Sequence, residues 1–308
     1  MSSNVKIKVV GIGGSGSNTI SRMKKMKMRG VEMIVMNTDA QDIKKARADI
    51  KIRIGRKTTQ GLGAGMNPEI GKQSAIENYQ EIESVLKGAD LVFITGGEGG
   101  GTFTGAAPIV AEAAKKQGAL TIAVVTKPFS FEGQVRLKIA ENGIKELKEK
   151  VDALITISND RLLSVLDSNV SVVNAFSTCD NVLQQAVQGI SDLITLPGII
   201  NIDFADVKTI IASAGAVLFG TGRASGEDRV EKAALAAINS PLLDVSMRGA
   251  RGVLFNISGP DISIDEIDKA AKIITKEINP DAKIIFGAAQ DERLKKGEIK
   301  ITIIAAGF

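Results

Sequence analysis

The stretch Gly96-Gly97-Glu98-Gly99-Gly100-Gly101-Thr102-Phe103-Thr104-Gly105 follows an apolar, β-branched run at 91–95 and precedes a helical pattern at about 106–116. Six glycines in ten residues carry a large conformational entropy cost, and a simple turn needs only one or two. A strand that opens through glycines into a helix presents free backbone N–H groups at the helix N-terminus, where phosphate is held by amides and by the helix dipole. The stretch therefore reads as an anion-binding loop at the end of a buried strand.

A second such signal stands earlier. Gly11-Ile12-Gly13-Gly14-Ser15-Gly16 fits G-x-G-x-x-G after the first strand-like run and before a helix read as starting near Asn18. Alone it suits a dinucleotide-binding domain or merely a tight strand-to-helix turn. Two glycine loops on one sheet edge would grip a chain of phosphates from both sides. The P-loop pattern G-x-x-x-x-G-K-[ST] is absent.

Working outward, runs 6–10, 32–36, 51–54, 91–95, 120–126 and 153–157 read as strands, most of them separated by helical patterns. Apolar strands alternating with helices imply a parallel sheet covered on both faces, with ligands beyond the strands' carboxyl ends. A long helical pattern at about 171–196 ends at Pro197 and Gly198. Beyond it, strands near 214–220, 252–258, 283–287 and 298–305 surround helices near 228–238 and 264–278. The expected fold is α/β: a parallel-sheet domain of Rossmann-like layout over 1–196, including the long helix, and a smaller α/β domain over 197–308.

Composition narrows the chemistry. The 308 residues contain no histidine and one cysteine, Cys179, so the usual general base, an internal disulfide and a Cys-cluster zinc site are all excluded. With 44% apolar and 24% charged residues, the chain reads as an ordinary globular protein. No apolar run reaches the ~20 residues of a membrane span, and the N-terminal run has no signal-like apolar region. A cytoplasmic protein without direct membrane binding is expected. The net charge is +4 and the pI about 9.0. The most basic stretch, Arg22, Lys24, Lys25, Lys27 and Arg29 interleaved with Met23, Met26 and Met28, reads as the solvated face of an amphipathic helix, with no nucleic-acid partner.

The two glycine turns occur together with Asn37-Thr38-Asp39-Ala40-Gln41, Gly61-Leu62-Gly63-Ala64-Gly65-Met66-Asn67-Pro68-Glu69, Thr126-Lys127-Pro128-Phe129-Ser130-Phe131-Glu132-Gly133, Asn159-Asp160-Arg161-Leu162-Leu163 and Asn201-Ile202-Asp203-Phe204-Ala205-Asp206-Val207. In this order, from about 5 to 308, they resemble the FtsZ family, prokaryotic tubulin homologues of cell division. The resemblance implies a tubulin-like fold, GTP or GDP as ligand, and Mg2+ held through the phosphates, with no protein metal ligand assigned. It implies phosphate and base contacts at Gly13, Gly14, Ser15, Gly16, Ser17 and Asn18, and a wrap of the phosphates by Gly99, Gly100, Gly101, Thr102, Phe103, Thr104 and Gly105. Glu132 and Arg136 match ribose and nucleotide contacts, and Asn159, Phe176 and Asp180 match residues around the guanine. A carboxylate accepting from guanine N1 and N2 hydrogens would disfavour adenine by being left unpaired.

Asn201, Asp203 and Asp206 admit two compatible readings. Asp203 suits an N-cap with Asp206 in the first turn of the helix 204–212. The resemblance instead makes the three the loop that positions magnesium and the attacking water at the γ-phosphate. Asp180 would lie near the base, and Asp203 follows some twenty residues later along a helix, roughly 30 Å away at ~1.5 Å per residue. They would then serve a neighbouring subunit's phosphates, through a head-to-tail contact that generates a filament. Expected partners are further copies of the chain, and other division proteins or a second FtsZ at the division site.

Three positions depart from the family pattern. Phe103 replaces a glycine, so its ring is expected to turn outward or push the loop aside; Glu98 replaces an apolar residue, usually methionine, and is expected to face outward or to alter metal or filament contacts; Ser158 replaces proline. The last residues, 303–308, match the end of the family's globular core, without its linker and terminal peptide. A nucleotide-binding filament paralogue with weak turnover is the alternative. An oxidoreductase rests on Gly11 to Gly16 alone, against the missing histidine and the doubled loop.

Overall fold

The computed structural model describes all residues except 1–4, 26, 27, 29, 165–170, 197 and 241–246. Met26, Lys27, Arg29 and Pro197 therefore lie outside the described residues. The chain divides into two units, Met1–Val187 and Gln188–Phe308.

In the first unit, strands β1 (Ile7–Ile12), β2 (Val31–Asn37), β3 (Ile50–Arg53), β4 (Leu91–Gly97), β5 (Leu120–Lys127) and β6 (Ala153–Ser158) form a parallel sheet in the order β3-β2-β1-β4-β5-β6. Its helices are α1 (Gly13–Lys25), α2 (Ala40–Lys45), α3 (Arg56–Thr59), α4 (Pro68–Glu77), α5 (Tyr79–Leu86), α6 (Gly101–Lys116), α7 (Gln134–Lys150) and α8 (Asn159–Ser164). Val10, Ile12, Ile94 and Val125 pack with Phe103 and Val110 of α6 and Leu147 of α7. The alternate residues Val9, Phe93 and Val124 are equally buried, so both sheet faces are covered, as period-2 alternation in a parallel sheet requires. The order puts β1 and β4 side by side, so the turns that leave them emerge as neighbours at one edge.

Local chemistry sets the helix starts. Asp39 caps α2 by accepting from the backbone N–H of Gln41 at 2.7 Å and of Asp42 at 3.2 Å, a cap contributing about 1 kcal/mol. Helices α1 and α6 begin at Gly13 and Gly101, each one turn or more earlier than the sequence reading placed them. Glycine lowers helix propensity and so looked like loop. A first turn has few intrahelical bonds to lose, however, and here close packing demands the missing side chain. The basic face of α1 is also not simply solvated: the Arg22 guanidinium donates to Ser177 Oγ at 3.0 Å, and Lys24 is ion-paired with Asp49.

Helix α9 (Val172–Thr195) belongs to both units by sequence. In the second unit, β7 (Gly198–Ile200), β8 (Gly215–Ser225), β9 (Gly252–Gly259), β10 (Lys283–Gln290) and β11 (Glu298–Ala306) run in the order β8-β11-β9-β10-β7. β9 and β10 are parallel and the other pairs antiparallel. Helices α10 (Phe204–Ile211), α11 (Arg229–Ile238) and α12 (Ile264–Thr275) complete it. Val230, Ala234, Ala270 and Ile274 of α11 and α12 pack on Phe255, Ile257, Ile301 and Ile303 of the sheet. Arg229 joins the two helices through Glu266 at 2.6 Å and Asp261 at 2.8 Å.

Candidate nucleotide site

The two glycine turns meet. A Cβ built on Gly13 would lie 3.5 Å from the Phe103 backbone nitrogen, and one on Gly97 would lie 3.4 Å from the Ser15 Cβ. The Thr38 and Thr102 hydroxyls, 2.9 Å apart, tie the end of β2 to the second turn. Gly99 has φ of 86° and donates its N–H to Thr104 Oγ1 at 3.1 Å. That left-handed conformation suits glycine, and the bond folds the turn back onto α6.

Most glycines of 96–105 turn out to serve packing. A Cβ on Gly105 would stand 1.8 Å from the Pro68 carbonyl oxygen, and one on Gly101 2.8 Å from the Asn67 amide, so both let α6 cross the start of α4 at backbone distance. Gly96 makes room for the Phe103 ring. A Cβ on Gly100 meets nothing within 4 Å. The glycine count thus overstated the ligand's share: close helix crossing explains part of it, and the open approach to the loop is at Gly100.

Behind the first turn, Asp180 of α9 is buried and faces Ser15 Oγ and Arg22 Nε, each at 3.5 Å. These contacts are long, so the carboxylate keeps acceptor capacity. Burial pushes its pKa up to about 6, with the Arg22 charge and Ser15 opposing. Asn159, first residue of α8, is also buried, and its Oδ1 has no hydrogen-bond partner among the described residues. Phe176 is half-exposed and meets Phe129 edge to face at 5.1 Å, while Phe131 stacks on Phe129 at 4.9 Å. Its free area faces solvent, so the structure leaves a ring available for a base.

On the other side of the loop, Glu132 accepts from the Phe129 N–H at 2.8 Å and pairs with Arg136 at 3.0 Å. Arg136 is fixed against the second glycine turn: a Cβ on Gly99 would meet its backbone oxygen at 2.8 Å. Its Nε is buried without a partner among the described residues. Buried acceptors at one end, an unpartnered guanidinium nitrogen beside the loop, and an open glycine between them fit a purine nucleotide with its phosphate chain.

For two departures the outward alternative is overturned. The Phe103 ring does not turn outward; it is 3% exposed and joins the core under the sheet, against Gly96. Because residue 103 lies in the first turn of α6, its side chain is aimed at the strands, where burying an aromatic is favourable. Glu98 does not face outward either: it is 2% exposed, and neither carboxyl oxygen has a hydrogen-bond partner among the described residues.

Asn201, Asp203 and Asp206 belong to the second unit. Asp203 is the N-cap of α10, and its backbone N–H donates to Asp206 Oδ2 at 3.3 Å. Asn201 Oδ1 accepts from the Gly198 N–H at 2.8 Å. Asp203 thus takes the expected N-cap position, closed by Asp206 and not by a bond from its own side chain, and Asp203 is exposed and Asp206 partly exposed. Among the described residues no cluster of three or more His, Cys, Asp or Glu could hold a metal.

Sequence reasoning missed Arg22 and the Thr38–Thr102 pair. By sequence Arg22 reads only as part of a basic helix face. The signal for its other role was its spacing from Ser15, which brings it to the same side of α1, seven residues or two turns on.

Doubled glycine turns on adjacent parallel strands, joined to a second α/β unit, define a tubulin-like nucleotide-binding protein. Residues 6–167 match the Tubulin/FtsZ family GTPase domain, and residues 215–308 match the FtsZ family C-terminal domain. The structure of an empty FtsZ dimer from M. jannaschii is similar, at 45% identity and a TM-score of 0.93, covering 98% of this chain and 88% of that one. The chain belongs to the FtsZ family. Two Haloferax volcanii proteins share the fold: CetZ2, as a GTPγS-bound protofilament, at 19% identity and TM-score 0.84, covering 98% of this chain and 94% of that one. The other is CetZ1, a GDP-bound monomer, at 18% and 0.85, covering 99% and 94%.

Proposed function

We infer that this chain binds GTP and assembles head-to-tail into filaments in which each subunit completes its neighbour's hydrolytic site, in the service of cell division in the cytoplasm. The observation that carries the reading is the convergence of the two glycine turns with Asp180. In this reading Asp180 accepts from guanine N1 and N2 hydrogens and Asn159 Oδ1 takes a further donor. Phe176 lies against the base. The amides of 13–18 and 99–105 hold the phosphates, and Arg136 with Glu132 borders the ribose and phosphates. GTP with Mg2+ supplies the reacting phosphoanhydride and the charge neutralisation at the phosphates. Asn201, Asp203 and Asp206 orient water at the γ-phosphate of the next subunit.

Support for assembly comes from the family. The M. jannaschii FtsZ was described as a dimer and CetZ2 as a protofilament. Support for a shared site comes from chain order, because Asp180 lies in the first half of a 24-residue helix and Asn201 beyond its end. Sedimentation with GTP and Mg2+, paired with phosphate release, tests the reading. Pelleting that depends on GTP and turnover that rises steeply with protein concentration are expected; a strict monomer under these conditions overturns it.

A second reading, a filament subunit with weak turnover, is favoured by Glu98, which buries a carboxyl at the glycine turn, and by Phe103, whose side chain α6 carries in place of the family's glycine. It requires filaments with little phosphate release. It is overturned if turnover is already fast and Phe103→Gly leaves it unchanged.

A further inference from the structure

Glu98 is the described side chain whose burial nothing in the nucleotide site explains. It follows directly on β4, its N–H donating to the Thr126 carbonyl at 3.0 Å, and opens the phosphate turn. Its side chain is turned inward, between Thr104 of α6 and Gly143 of α7. A Cβ on Gly143 would stand 2.5 Å from Glu98 Oε2 and 2.4 Å from Thr104 Cγ2, so only glycine at 143 leaves room for the carboxyl. The Thr104 hydroxyl lies close enough to weigh on its acidity but outside hydrogen-bond geometry. That same hydroxyl accepts the Gly99 N–H, so the carboxyl packs on the group that folds the turn.

A buried carboxylate with no donor is very costly, whereas the neutral acid is tolerated. The surrounding charges do not help the ion. On α7 the facing ionisable groups are Glu146, which opposes it, and Arg136, which pairs through Nη1 with Glu132 and whose Nε makes no hydrogen bond to Glu98. On α4, Lys72 pairs with Glu146 at 3.9 Å. On β5, Lys127 is partly exposed at the strand end. Across 101–111 the helix α6 has no ionisable side chain.

We propose that Glu98 is a proton-operated latch of the phosphate turn: as the neutral acid it fills the space between Thr104 and Gly143 and seats residues 96–105, and as the carboxylate it leaves that space and loosens the turn. Burial raises its pKa from 4.5 to about 8, Thr104 opposing and Glu146 adding. The sign follows: a raised value in the seated form means that seating is strongest below about 4.5 and is lost progressively as pH climbs to about 8, beyond which the loss levels off. The latch rests on the nucleotide reading only for its consequence. Phosphates bound at the turn would disfavour a carboxylate there further, so GTP affinity should decline above pH 8, where the free chain gives up a proton that the bound chain keeps.

The test is amide hydrogen exchange over 96–105 in the nucleotide-free full chain, corrected for intrinsic base catalysis, from pH 5 to 9. Wild type is expected to lose protection by up to roughly tenfold per pH unit between 5 and 8. Glu98→Gln and Glu98→Met, one the shape of the neutral acid and the other apolar, should give flat profiles. A flat wild-type profile, or a slope shared by either variant, overturns the latch. Calorimetric titration with GTP and Mg2+ at pH 7 to 9 then separates the two readings. A wild-type decline absent from Glu98→Gln extends the latch to binding. Absence of GTP binding at every pH overturns the nucleotide reading while the exchange profile still decides the latch.

Discussion

The Phe103 ring lies against the backbone of Gly96: a Cβ at position 96 would stand 2.2 Å from its Cδ2 and 2.7 Å from its Cε2. An aromatic in the first turn of α6 and a glycine at the end of β4 are therefore one packing unit. Gly96→Ala is expected to destabilise by about 1–3 kcal/mol through overpacking, and Phe103→Ala by about 3–5 kcal/mol through the cavity it leaves. In the double variant the alanine at 96 should lose most of its cost. Urea unfolding of the four chains checks it, and strict additivity would contradict the contact.

Asp180 can accept from a base at both oxygens only as the carboxylate. Its pKa is pushed up to about 6 by burial, so GTP affinity should fall as pH drops through about 6, while the guanine donors themselves favour the ion. Asp180→Asn should weaken GTP binding roughly 100-fold at pH 7, the worth of one or two charge-assisted bonds. It should also narrow the preference over ATP. Competition binding at pH 5.5 and 7.5 measures both effects.

Cys179, one residue before Asp180 on α9, is buried at 4% exposure, and its thiol is pushed up to about 12 by burial and by the adjacent carboxylate. The thiolate is the reactive form. Native chain should therefore react slowly with a disulfide reagent at pH 8, and unfolding in urea should restore the rate of a free thiol. Fast native labelling would show that this part of α9 opens.

In the second unit Asp192 receives Arg293 at 2.8 Å and Lys300 at 3.7 Å, and Asp291 holds the other side of Arg293 at 2.7 Å. Lys300 is buried, and burial lowers its pKa against the pull of Asp192. Asp192→Ala should cost about 2–4 kcal/mol, less than the full loss of a buried pair because Arg293 is half exposed and Asp291 remains. The deficit should shrink in alkaline buffer, where the strained amine sheds its proton. Denaturant unfolding at pH 7 and 10 tests the sign.

The parallel sheet was legible because Val, Ile and Phe runs such as 91–95 are apolar on both faces and end in glycine. The long helix was legible from its 3.6-residue period, and α9 spans Val172–Thr195. Helix starts at Gly13 and Gly101 were not, since glycine marks loop and helix N-terminus alike.

The same distinction runs through the site. Residue types and their order alone determined the family, the presence of two glycine-rich strand-to-helix turns and the N-cap position of Asp203, because these depend on local backbone chemistry and on patterns along the chain. Only the tertiary structure decided which way Phe103 and Glu98 point, that Gly101 and Gly105 serve a helix crossing, and that Arg22 faces Asp180. Those outcomes depend on atoms brought together from distant positions, Gly143 beside Glu98 and Pro68 beside Gly105, and no local pattern encodes how much space such a meeting leaves.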